Sequence, residues 1–276
     1  MATEVKTVPL VLLALAGFAL NNLFCRAALA PGYIDAASFT AVRLASGGVV
    51  LAILVRARGG SLRAGGWASS AWLLAYAILF SLAYVRIRAS VGALVLFGIV
   101  QLTMIGLAAE RPRLREWAGL VMALGGLAVL TWPTAGVPDY LGLGLMAGAG
   151  VAWGVYSLHG RKAVSPLADT AANFLRTVPF ALGLFAIAYF QGGHVTTPGV
   201  LYAAASGILG SGIGYAFWYA ALPRLTATRG AIVQLSVPVI TAIVAIPLLN
   251  ETLSLRLILS GVAILGGVGL ALWHRR

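Results

Sequence analysis

Four amides stand deep inside apolar runs of this chain: Asn21, Asn22, Gln101 and Gln234. An uncharged amide both donates and accepts hydrogen bonds. It can hold a small polar head group in hydrocarbon without the penalty a charge incurs. Aromatic side chains accompany them. Tyr76, Phe80 and Tyr84 recur every four residues and so share one helix face. Trp153 and Tyr156 follow, then Tyr215, Trp218 and Tyr219. Apolar walls with a few hydrogen-bonding groups make a small-molecule cavity. The candidate substrate-binding residues are therefore Asn21, Asn22, Tyr84, Gln101, Trp153, Tyr156, Tyr215 and Gln234. The competing reading is structural: amides glue helices together, and aromatics fill cores or interfacial belts.

Catalysis finds no support in the residue types. Gly210-Ser211-Gly212 invites an intramembrane serine hydrolase, but His159, His194 and His274 fall at the ends of apolar runs or between them. No histidine is placed as the general base that such a serine needs. There is no phosphate-binding glycine loop and no His/Cys group at metal spacing, so neither cofactor nor metal is expected. Cys25 is the only cysteine, which excludes an intramolecular disulfide.

The charged residues point the same way. Glu4, Asp35, Glu110, Glu116, Asp139, Asp169 and Glu251 all lie at or near the ends of apolar runs. No acid occupies a mid-membrane position of the kind ion-coupled carriers keep. Glu110 and Glu251 are expected to cap or pair at helix ends, and if the chain were a carrier its transport would be facilitated or by exchange. Arg43 and Arg176 lie about two turns inside their runs. Either snorkels to the interface or attracts a carboxylate.

The elements that must position these residues follow from composition. The 276 residues are 61% hydrophobic and only 9% charged, against roughly 25% charged in a soluble domain. Lipid must face most of the surface. About 20 residues cross a bilayer, and the breaks at Gly, Pro and basic clusters give ten spans. They run 8–29, 35–56, 67–85, 89–109, 115–132, 139–159, 169–190, 198–221, 226–248 and 253–273. The first is too long for a signal-peptide core and is taken as a span. The net charge of +12 is assigned to span ends rather than to nucleic acid. Lys6, Arg56, Arg58, Arg63, Arg111, Arg113, Arg115, Arg161, Lys162, Arg224, Arg229, Arg275 and Arg276 fall on one side. The opposite segments, Pro31–Ile34, Thr134–Asp139 and Gln191–Pro198, have no Lys or Arg. The positive-inside rule then puts both termini of a multi-pass membrane protein in the cytoplasm. Arg86 and Arg88 are exceptions.

Within the spans, Gly144/Gly148, Gly150/Gly154 and Gly210/Gly214 have the small-residue spacing of close helix approach. That spacing serves static packing, sliding interfaces or both. Pro179, Pro238 and Pro247 each remove a backbone hydrogen bond. Pro238, near mid-span, is the hinge candidate, and Pro247 is assigned to a helix end.

An internal repeat is also legible. Glu110 precedes Gly125-Gly126 by the spacing that separates Glu251 from Gly266-Gly267, and Arg43 follows Asp35 much as Arg176 follows Asp169. Residues 1–135 pair with residues 136–276. With five spans each, the halves insert in opposite senses, as in many secondary transporters. The stretch Tyr215-Ala-Phe-Trp-Tyr-Ala-Ala-Leu-Pro-Arg-Leu-Thr-Ala-Thr-Arg229, then Pro238, Leu249-Asn-Glu251, Gly261 and Gly266-Gly267, resembles the drug/metabolite transporter superfamily and its EamA-type ten-span exporters. Tyr84, Ser90, Glu110, Gly119 and Gly125-Gly126 repeat the pattern more faintly, without a counterpart of Pro238. Phe97-Gly-Ile-Val-Gln-Leu-Thr-Met104 resembles the bacterial exporters of aromatic and other amino acids. The resemblance implies an all-α polytopic fold with a central cavity, alternating access and outward transport. The expected cargo is amino acids and related metabolites. The alternative is multidrug or organic-cation efflux. A non-transporting receptor or an intramembrane enzyme is the distant third. Lipid and a small-molecule substrate are the implied partners, and a monomer suffices.

Overall fold

The computed structural model describes residues 2–62, 64–87, 89–108, 111–131, 139–249 and 255–273. Its regular structure is helical, apart from an isolated antiparallel bridge between Ile34 and Val195. The first seven spans are α1 (Ala2–Leu29), α2 (Ala36–Ala57), α3 (Trp67–Arg86), α4 (Ala89–Gly106), α5 (Leu114–Thr131), α6 (Tyr140–Gly160) and α7 (Pro166–Phe190). The eighth comprises α8 (Thr197–Ala205), a π-helical stretch (Ser206–Ile213) and α9 (Gly214–Ala221). The ninth is α10 (Ala227–Val233) followed by α11 (Ser236–Leu249), and the tenth is α12 (Leu255–Leu272). Seven of these spans are long and apolar enough to cross a bilayer by that measure alone. Large apolar side chains such as Leu102, Val121, Phe180 and Val262 are exposed around the bundle, where lipid is their natural solvent. The protein is a polytopic all-α membrane protein.

Local chemistry sets the helix starts. Asp35 accepts from the Ser38 amide at 2.9 Å and Asp139 from the Gly142 amide at 2.9 Å. Both satisfy amide donors that a first turn leaves open. Pro166 in the first turn starts α7 three residues before the sequence-based boundary, because its missing N–H costs nothing there. Arg86, an exception to the charge rule, pairs with Asp139 at 3.0 Å. The Gly142 amide, and then Arg86, hold the Asp139 carboxyl below the usual carboxylate range. Arg88 lies outside the described residues, as do Glu110, Glu251 and His274.

The principal pairings are α5 with α12, α2 with α7 and the eighth span, α3 with α7, α6 with α3 and α4, α4 with α10, and α1 with the eighth span and α11. Exchanging each span for the one five places along the chain returns the same set. Several crossings run backbone against backbone. A Cβ on Gly17 would stand 2.7 Å from the Gly214 Cα, and one on Gly119 would strike the Gly267 carbonyl. A Cβ on Gly150 or Gly154 would stand 2.8 Å from Ile99 or Thr103 of α4. Gly144 does not form the expected close contact: a Cβ there would meet open space, and Gly148 meets only the tip of Leu79.

Two spans depart from regular helix. Proline cannot donate, and its ring crowds the carbonyl four residues back. For Pro238 that carbonyl belongs to Gln234, which accepts instead from the Val237 amide at 3.0 Å. The chain turns at Gln234–Leu235, one turn before the proline. Helix α7 runs unbroken through Pro179 and α11 through Pro247. The π-helical stretch was not expected. It is rich in small residues: Ser206, Gly207, Gly210, Ser211 and Gly212. These let it press Gly210 onto Asn21 of α1 and Gly207 onto Arg43 and Ser46 of α2.

Candidate functional site

At the middle of the bundle lies a small space of about 30 Å³. Its lining comes from six spans: Phe18, Asn21 and Asn22 of α1, Tyr76 of α3, Leu96 and Phe97 of α4, Trp153 of α6, Tyr215 of α9, and Gln234 at the break before α11. Trp153 is the hub. Its ring centroid lies 4.9 Å from Tyr215, 5.0 Å from Tyr76 and 5.5 Å from Phe18. Its Nε1–H donates to Gln234 Oε1 at 2.6 Å. Gln234 Nε2 donates in turn to the Gly230 carbonyl at 3.0 Å and to Met104 Sδ at 3.6 Å. The polar groups here are thus partly spent on holding helices. Asn21 Oδ1 accepts from the Ser206 hydroxyl at 2.6 Å. Asn22, half-buried, carries the lining's least committed amide.

Five of the eight candidates from sequence converge on this space: Asn21, Asn22, Trp153, Tyr215 and Gln234. Three stand elsewhere. Tyr84 packs edge-on against Phe80 at 4.6 Å, two helical turns along α3 from Tyr76. Gln101 is fully buried, donates from Nε2 to the Ala231 carbonyl at 2.8 Å, and leaves Oε1 without a partner. It ties α4 to α10. Tyr156 belongs to a second cavity. Tyr76, one of the aromatics considered from sequence though not among the eight, also lines this space, whereas Phe18, Leu96 and Phe97 were not singled out. Phe18 stands three residues before Asn21, a spacing that shares a helix face, so that signal was present.

The second cavity, about 340 Å³, opens at the end of the bundle that carries the basic loops. It lies between the α2–α3 loop (Gly65, Gly66), the end of α6 (His159, Gly160) and the start of α7 (Asp169, Asn173). The Gly65 amide donates to Asp169 at 2.9 Å and the Gly66 amide to Asn173 at 3.1 Å. Gly65 adopts φ +75°, and a Cβ there would press on Asn173 and Arg176, so only glycine fits. Tyr156 and Tyr219, with ring centroids 5.2 Å apart, form the floor between this vestibule and the Trp153 cluster. At the other end, the Asp35 amide donates to the His194 carbonyl at 2.8 Å and the Thr196 amide to the Tyr33 carbonyl at 2.9 Å. These bonds join the α1–α2 and α7–α8 loops.

Arg43 departs from the snorkelling expectation. It is 1% exposed, with its guanidinium 5.5 Å from the Phe80 ring and 5.8 Å from those of Phe39 and Tyr76. Arg176 is half-buried and reaches the α2–α3 loop, donating to the Ala64 carbonyl at 2.9 Å and covering Trp67. Among the described residues, no group of His, Cys, Asp and Glu could hold a metal ion.

Comparison with known proteins follows from this architecture. The pattern of the EamA-like transporter family matches residues 140–273. A protein of Pseudomonas aeruginosa, named only as uncharacterized, is 47% identical over 275 residues, covering 98% of this chain and 96% of its own. A solved crystal structure superposes with a TM-score of 0.80, covering 97% of each chain. At 22% identity that likeness concerns the fold alone.

Proposed function

The chain belongs to the EamA-like transporter family, and from that premise we propose that it exports amino acids and related small metabolites across the bacterial inner membrane. The observation that carries this reading is the central ring itself. Aromatic walls and hydrogen-bonding amides converge from spans one, three, four, six, eight and nine, three from each half. Residues 1–135 and 136–276 would be two inverted repeats, a reading supported by pairings that survive exchange of the halves. A space of about 30 Å³ is far below the roughly 300 Å³ at which ligand pockets begin. Cargo must therefore enter by helix separation. The Tyr156/Tyr219 floor would part toward the vestibule, and the Gln234–Leu235 turn, set by Pro238, would be the hinge. Transport down a gradient or by exchange fits a central lining without a carboxylate.

Purified protein in liposomes tests the reading. A panel of labelled amino acids should exchange across the membrane, whereas a lipophilic cation such as tetraphenylphosphonium should not. Asn22→Leu should shift the preference among amino acids while leaving the melting temperature near wild type, since the bonds that tie Asn21, Trp153 and Gln234 to their neighbours do not involve it. Trp153→Ala should penalise large aromatic cargo more than threonine, because it removes apolar contact worth about 1.5–3 kcal/mol. Equal losses for every cargo, with a lowered melting temperature, would mean these residues only hold helices together.

Orientation has its own test. In a Cys25→Ala background, single cysteines at Ser61 and Ser165 should react with impermeant maleimide only from the cytoplasmic side. One at Gln191, exposed after α7, should react only from outside. The reverse pattern would remove the N-in topology.

A further inference from the structure

We infer that Arg43 is the anion-binding residue of the central site, so that the cargo is selected for a carboxylate; this rests on the transport reading above. Arg43 projects from α2 two turns inside the bundle and is 1% exposed. Arginine keeps its charge when buried, and a charge at that depth is rare and functional by default. Its surroundings compensate it poorly. Phe39, Tyr76 and Phe80 offer ring faces at 5.5–5.8 Å, which attract a cation but accept no N–H in-plane hydrogen bond. Its hydrogen bond to the Ala77 carbonyl is long, 3.4 Å from Nη2, and the Tyr76 hydroxyl lies near the guanidinium. That carbonyl already accepts from the Ser81 hydroxyl at 3.0 Å. Among the described residues, Nε and Nη1 have no hydrogen-bond partner. The ion pairs formed at the bundle ends, Arg86–Asp139 and Arg229–Glu116, have no counterpart here.

The position explains what would complete it. Tyr76 touches Arg43 with its ring and also lines the central space. One phenol therefore separates the free guanidinium nitrogens from the Trp153 cluster. Separation of the helices to admit cargo would bring a carboxylate past Tyr76 onto a charged donor that lacks an acceptor. The same charge would repel an organic cation, and the central lining offers no acid to offset it.

The test uses liposomes containing wild type, Arg43→Lys, Arg43→Gln and Arg43→Met, with phenylalanine and phenylalaninamide as paired cargo, and the melting temperature of each variant. Loss of one charged hydrogen bond should lower phenylalanine transport by about tenfold or more in the Gln and Met variants. Phenylalaninamide transport should be unchanged or raised. The Lys variant should fall between, since it keeps charge without the planar fork. The Met variant should melt no lower than wild type, because an unsatisfied buried charge has been removed. Equal loss of both cargoes with a lower melting temperature in all three variants would make Arg43 a packing element and overturn the inference. So would unaltered preference for the carboxylate. If the wild type moved neither cargo nor any other amino acid, the transport reading would fall first, and this inference with it.

Discussion

Gly17→Leu should yield no monodisperse, detergent-extracted protein. The α1–α9 crossing is backbone on backbone: the Cβ alone would stand 2.7 Å from the Gly214 Cα, with the Leu209 carbonyl 3.4 Å away. Neither neighbour has a side chain that can rotate aside. Overpacking an ordinary core costs about 1–3 kcal/mol because side chains and backbone adjust. Here whole helices must separate, and α1 carries Phe18, Asn21 and Asn22 into the central ring. Gly144→Ala is the matched control. Its Cβ meets nothing within 4 Å, and alanine is the better helix former by about 1 kcal/mol. Its melting temperature should equal or exceed that of wild type. Size-exclusion profiles and thermal unfolding of both variants in one detergent decide the matter. A folded Gly17→Leu, or an unfolded Gly144→Ala, would contradict the packing.

Gln234→Leu should cost both transport and stability, unlike Asn22→Leu. The amide accepts from Trp153 at 2.6 Å and donates to the Gly230 carbonyl at 3.0 Å. Leucine strands a buried indole N–H, a loss of about 1–3 kcal/mol, although hydrogen bonds between membrane helices average only about 0.6 kcal/mol. Transport should fall about tenfold or more, because the side chain lines the central space at the point where the ninth span breaks. Trp153→Phe removes the same bond and keeps most of the ring. In a double-mutant cycle the two should be non-additive in melting temperature, since they share one interaction. If Gln234→Leu moved amino acids at the wild-type rate, the central space would not be the route.

The span plan was legible because hydropathy is a property of consecutive residues, and most breaks carried their own stop signal. Only Val85–Arg88 separates the third and fourth spans, yet α3 ends at Arg86 and α4 begins at Ala89. Caps such as Asp35 and Asp139, and the turn that Pro238 forces at Gln234, are equally local. The polar residues within apolar runs were also visible, and five of eight candidates meet at one place. Which ones meet was a different matter. Tyr76 and Tyr84 share a helix face, and depth along the bundle puts one in the central ring and the other beside Phe80. Gly144 and Gly150 look alike in sequence, but only Gly150 is turned toward α4. Arg43 and Arg176 also look alike, but the aromatics of α3 bury one while the Ala64 carbonyl, near a span end, engages the other. The π-helical stretch left no periodic trace, because a shift in hydrogen-bond partner changes no residue type. Rotation, depth and register of each helix are fixed by its neighbours, so the tertiary structure alone decided which side chains face the centre.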